Sequence, residues 1–91
     1  MVREGDLVVI FNNIHRVMQA EKVLKENRQD FLLIPVPRSL ASDCGLAIRY
    51  AEADHRKIFA VLAGADLLPE QLYRFSAGEF ARIKDAFSVG N

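Results

Sequence analysis

Five consecutive apolar residues near the start of the chain, Leu7-Val8-Val9-Ile10-Phe11, constrain its fold more than any other feature. No polar residue alternates within the run, so neither side of it suits water, and it reads as a strand buried on both faces. Such a strand belongs inside a sheet, not at its rim. Asn12 and Asn13 follow and supply an N-cap, because their side chains accept hydrogen bonds from the free amides of a helix start. Ile14, Val17, Met18, Ala20, Val23 and Leu24 then recur at helical spacing, with Glu21, Lys22, Lys25 and Glu26 beside them, which predicts a helix to about Asn27.

Phe31-Leu32-Leu33-Ile34 is a second short strand, stopped by Pro35-Val36-Pro37, since proline has no N–H for a ladder. Residues 38–43 read as a loop, and Gly45 to Tyr50 as a third strand. Asp54 is expected to cap a second helix carrying Ile58, Phe59, Val61, Leu62 and Ala65, ended by Gly64 or Asp66. Leu72–Phe75 makes a weak fourth strand. Ser76 and Glu79 stand at capping-box spacing before Phe80, Ile83 and Phe87, which predicts a short C-terminal helix. Without a linker or repeat, residues 1–91 form one domain. The order β-α-β-β-α-β points to an α+β fold, a ferredoxin-like split βαβ sandwich. Its antiparallel sheet has strand order 4-1-3-2, with two helices on one face.

Charge excludes several function classes. Lys and Arg number 12 against 12 Asp and Glu, and successive thirds of the chain hold 5:5, 4:3 and 3:4. No basic arm is present to grip phosphate backbones or anionic lipid. RNA-recognition domains share the strand–helix order but stack bases on aromatics of strands 1 and 3. Here those strands offer only Phe11 and Tyr50, so the reading is no nucleic-acid binding. Apolar runs are far shorter than a bilayer span, so no membrane association is expected. Cys44 is the one cysteine, which rules out an internal disulfide and suits a reducing cytoplasm. One cysteine and two histidines at opposite ends of the fold make no metal-ligand pair. No glycine-rich phosphate loop occurs, and neither cofactor nor metal is expected.

The predicted topology collects chemistry at one end of the sandwich. The start of helix 1 with His15, the end of strand 2 with Pro35, Pro37 and Arg38, and the start of strand 3 with Ser42, Asp43, Cys44 and Gly45 all lie there. His55 falls at the other end. A thiol is mostly protonated at neutral pH, and its reactive anion is favoured by a cation, an imidazolium or a helix N-terminus. Gly45 leaves the backbone open to close approach, while the Asp43 carboxylate opposes the thiolate unless it faces solvent or Arg38. The competing reading makes Cys44 a small buried apolar residue in a binding or regulatory module that docks through its sheet.

His15 and the helix Ala20-Glu21-Lys22-Val23-Leu24-Lys25, followed by Ile34-Pro35-Val36-Pro37-Arg38 and Ser42-Asp43-Cys44-Gly45-Leu46-Ala47, resemble the small bacterial family of selenium/sulfur carrier-like proteins. The likeness runs from strand 1 to about Tyr50. It implies a cytoplasmic, non-enzymatic carrier in which Cys44 holds sulfur or selenium as a persulfide or selenosulfide. Arg38 and the helix start would stabilise the anions, with His15 as a proton partner. A protein donor or acceptor such as a cysteine desulfurase would be the partner, and a homodimer is left open.

Overall fold

Residues 2–40 and 44–85 are described by the computed structural model of the chain. In chain order the elements are β1 (Leu7–Ile10), α1 (Ile14–Glu26), β2 (Leu32–Pro35), β3 (Leu46–Tyr50), a 3-10 turn (Glu52–Asp54), α2 (His55–Gly64), β4 (Gln71–Ser76) and β5 (Glu79–Arg82). The strands form one sheet in the order β2-β3-β1-β4-β5, with every neighbouring pair antiparallel. The expected order 4-1-3-2 is therefore present, with a fifth strand added outside β4.

Local chemistry explains the helix ends. Asn13 is extended, and its side-chain oxygen accepts the Arg16 N–H at 2.9 Å, the N-cap bond expected of this residue type. At the other end Arg28 takes a φ of 56°, its N–H donates to the Lys25 carbonyl, and the Gln29 N–H donates to that of Leu24. That pair of bonds is a Schellman closure. Asp66, with a φ of 57°, closes α2 in the same way, through bonds from Asp66 to Ala63 and from Leu67 to Leu62. Asp54 precedes α2 but makes no side-chain cap bond; the 3-10 turn winds the chain into the helix instead.

β2 ends at Pro35, which is its last residue. The Val36 N–H donates to the Gly45 carbonyl at 3.1 Å, and bonded and non-bonded pairs alternate along an antiparallel ladder. Pro35, opposite Leu46, therefore stands at a non-bonded position on the outer edge of the sheet. Its missing N–H takes nothing from the ladder and blunts that edge against further pairing.

The expected C-terminal helix does not form over residues 79–82. Ser76 pairs with Glu79 across a two-residue turn, Ala77-Gly78, with φ values of 54° and 78°. Two successive positive φ values make the mirror-image turn whose twist matches a β-hairpin. Phe75 and Phe80 then pack across the hairpin, tilted, with ring centroids 4.9 Å apart. The turn chemistry overrides the Ser-x-x-Glu spacing, and the part of the prediction resting on Phe87 lies outside the described residues.

Two apolar clusters sit on the two faces of the sheet. Leu7, Val9, Ile48, Tyr50 and Leu72 meet Val17, Ala20 and Leu24 of α1 and Ile58, Phe59 and Leu62 of α2, so both helices cover one face. The opposite face gathers Val8, Ile10, Ile34 and Ala47 with Leu40, from the β2–β3 connection, and Val36, Tyr73 and Phe80 at its margins. Asp6 flanks this second face, accepting from Arg49 Nε and from the Arg3 N–H, each at 2.8 Å. β1 is thus buried on both faces, as its unbroken apolar run requires.

Candidate functional site

Cys44 stands just before β3, at the end of the sheet where β1 and β2 finish and α1 begins. In the β1–β3 register Leu7 faces Tyr50 and Val9 faces Ile48. Carried onward, that register sets Cys44 level with Asn13, the N-cap of α1. His15 lies two residues into the sequence beyond that cap, and Pro35, Pro37 and Arg38 leave β2 at the same end. Gly45 joins Cys44 to the strand with a φ of 81°, a conformation that would strain a residue with a Cβ. Nothing lies within 4 Å of where such a Cβ would stand, so the demand is for backbone freedom and not for space.

The thiol itself faces inward. Cys44 is 6% exposed and belongs to the helix-side core with Phe11, Val17 and Ile48. Along β3, Leu46, Ile48 and Tyr50 share the helix-covered face, while Ala47 and Arg49 point to the other. Arg38, His15, Pro35 and Gly45 are exposed and Pro37 is half-buried. Ser42 and Asp43 lie outside the described residues. This end of the fold therefore combines a buried thiol with a basic, solvated rim and the amides of a helix start.

His55 lies at the far end, as expected, and does something the sequence did not disclose. It is 2% exposed, its Nδ1 lies 2.8 Å from the Tyr50 hydroxyl, and its ring meets Phe59 at a centroid distance of 4.4 Å. Burial holds the Tyr50 phenol far above the ordinary tyrosine range, so the hydroxyl keeps its proton and stays available for the hydrogen bond it shares with Nδ1. This is a structural pair within the core.

Leu40 was also missed. The segment Arg38-Ser39-Leu40 reads as solvated loop, yet Leu40 is 9% exposed and packs in the second-face cluster. Its one signal was being the single large apolar residue between Arg38 and Asp43. Among the described residues, no group of three or more His, Cys, Asp or Glu side chains is arranged to hold a metal ion. No described helix is long and apolar enough to cross a membrane.

No curated protein and no solved structure matches the chain. A family model does: the one described as "Putative Se/S carrier protein-like" matches residues 6–74. The match takes in β1, α1, the β2–β3 connection with Arg38 and Cys44, α2 and most of β4. Covering most of the chain, from Asp6 to Arg74, it establishes that this protein belongs to the Se/S carrier protein-like family.

Proposed function

We propose that the protein carries a sulfur or selenium atom on Cys44 between two partner proteins in the reducing cytoplasm. The observation that carries this reading is that the family match spans Cys44, the one cysteine of the chain. The Cys44 thiolate attacks the outer sulfur of a donor persulfide. The donor's S–S bond breaks, its inner sulfur leaves as a thiolate with the bonding pair, and Cys44 becomes the persulfide. Attack by an acceptor thiolate on the outer atom reverses the exchange, so no outside oxidant or reductant is consumed. A donor whose outer atom is selenium gives the selenosulfide by the same displacement.

Arg38 and the first-turn amides of α1 stabilise the anionic forms, and His15 takes or returns the proton. Pro35 and Pro37 stiffen the approach to the thiol, Gly45 sets its angle, and Ser42 and Asp43 border it in sequence. A cysteine desulfurase is the kind of donor this chemistry requires. Intact-mass measurement after incubation with a desulfurase and cysteine, or selenocysteine, tests the proposal. The expected result is a gain of one sulfur or one selenium atom, absent in Cys44→Ser; no gain from either donor refutes it.

The burial of Cys44 supports a second reading, in which the thiol is structural and the fold is a protein-docking or regulatory module. That reading predicts no adduct and an unchanged partner affinity in Cys44→Ser.

A further inference from the structure

The sheet has two outer edges, β2 and β5, and the hydrogen-bond register gives them opposite characters. On β2 the Val36 N–H bonds to Gly45, so Leu33 and Pro35 turn their backbone groups outward, and Pro35 has no N–H to offer. On β5 the Ile83 N–H donates to the Leu72 carbonyl at 2.8 Å, and pairing continues through Tyr73–Arg82, Arg74–Ala81 and Phe75–Phe80. Bonded and non-bonded pairs alternate, so Ala81 directs its N–H and C=O to β4, while Phe80 and Arg82 turn theirs outward. Among the described residues those outward groups make no hydrogen bond. Glu79, Ala81 and Arg82 are exposed, and Tyr73, Phe75 and Phe80 are half-buried along the margin beside them. β5 contains no proline. A strand edge with free donors and acceptors is a template for a further strand.

We infer that β5 pairs antiparallel with β5 of a second copy of this chain, joining the two sheets across a twofold axis at Ala81. Pairing of β5 with the second copy's β2 would leave another β5 free and grow into a filament, but the Pro35 edge lacks the donors for it. Two β5 edges close on each other as a dimer. A net charge of zero removes the overall repulsion between identical chains. The outward residues set the register: Phe80 faces the second copy's Arg82, and Arg82 its Phe80. Each pair exchanges both its N–H···O=C bonds, and each guanidinium stands beside an aromatic ring. An axis at Arg82 would oppose like charges, and an axis at Phe80 would set Arg82 against Gly78 in the turn. So short an edge makes a weak, concentration-dependent contact. It also leaves the Cys44 ends uncovered: seven strand spacings separate the two β3 strands, on the order of 30 Å. The inference is therefore independent of the carrier reading.

The test is sedimentation equilibrium on the full chain from roughly 10 µM to 1 mM, a range that brackets a weak contact. The wild type is expected to rise from monomer toward dimer mass. Arg82→Pro removes an outward donor from each copy, as Pro35 does on β2, and should weaken association about tenfold or more. Ala81→Lys sets like charges face to face on the axis and should weaken it about threefold or more at low salt. Circular dichroism should stay that of the wild type. Ala81 is exposed, so its lysine variant decides the matter should Arg82→Pro unfold. Cross-linking reads the register. In a Cys44→Ser background, Ala81→Cys should oxidise to a disulfide dimer, since a non-bonded antiparallel pair brings Cα atoms to about 4.5 Å, within disulfide reach. Glu79→Cys should not, because its two copies stand about 13 Å apart along the paired strands. A wild type that stays monomeric at the highest concentration overturns the inference, whether or not β5 accepts a strand from another protein. So does association undiminished in either folded variant, or cross-linking as fast through Glu79→Cys.

Discussion

Replacing Tyr50 by phenylalanine isolates one oxygen atom in the core. Tyr50 is 1% and His55 2% exposed, and the hydroxyl lies 2.8 Å from Nδ1. Phenylalanine fills the same ring volume but removes the hydroxyl that pairs with Nδ1, and a buried polar group deprived of its partner costs about 1–3 kcal/mol. For a domain of this length each kcal/mol moves Tm by roughly 4–8 °C, so thermal and urea unfolding followed by circular dichroism should resolve the loss. The pH dependence adds a second, independent reading. The folded-state value of Tyr50 is raised, so the folded chain holds this proton after the unfolded chain has released it at the ordinary tyrosine value of about 10. Its contribution to stability is complete below pH ~10 and falls by about 1.4 kcal/mol per pH unit above that. Titrating lysines and Tyr73 affect both proteins alike, so the gap between wild type and Tyr50→Phe carries the signal. The gap should be about 1–3 kcal/mol at pH 7 and narrower by about 1.4 kcal/mol at pH 11. Equal stabilities at pH 7, or a gap constant with pH, would refute the assignment of a buried, protonated hydroxyl paired with His55.

Two further substitutions probe backbone geometry. Gly45→Ala places a Cβ at a φ of 81°, and unfolding should show a loss of about 1–2 kcal/mol with no steric clash contributing. Ala77→Asn gives the β4–β5 hairpin the Asn-Gly pair its mirror-image turn prefers, and chemical denaturation should show a gain of roughly 0.5–1 kcal/mol.

The C-terminal element shows where a local pattern has two readings. Ser76 and Glu79 have the spacing of a capping box, but that pattern also fits a hairpin in which the same two residues face each other across Ala77-Gly78. The choice depends on whether Phe80 can reach Phe75 and the second-face cluster, which is a property of the assembled sheet. Pro35, expected to stop its strand, is the last residue of β2, and the β2–β3 register adds that its position points to the outer edge, where no N–H is needed.

The candidate site divides along the same line. Topology inferred from the element order was enough to bring Cys44, Arg38 and His15 to one end and to send His55 to the other. Side-chain direction was beyond it, because 38–43 has no periodicity from which a buried face can be read. Leu40 and the inward turn of Cys44 therefore became visible only in the packed chain.

By itself the sequence determined whatever depends on neighbours a few residues apart: the both-faces burial of β1, the helix α1 (though Ile14 and Met18 of its expected apolar stripe are exposed), the Asn13 cap and, through the order of elements, the 4-1-3-2 sheet. Tertiary structure alone decided what depends on partners far along the chain: β5 in place of a helix and Leu40 in the second-face cluster. It also decided the inward direction of Cys44, and the hydroxyl that His55 meets in Tyr50. The physical reason is that hydrogen-bond and capping preferences act within a turn or two. The burial of a thiol or a leucine is settled by which surfaces the folded sheet leaves open.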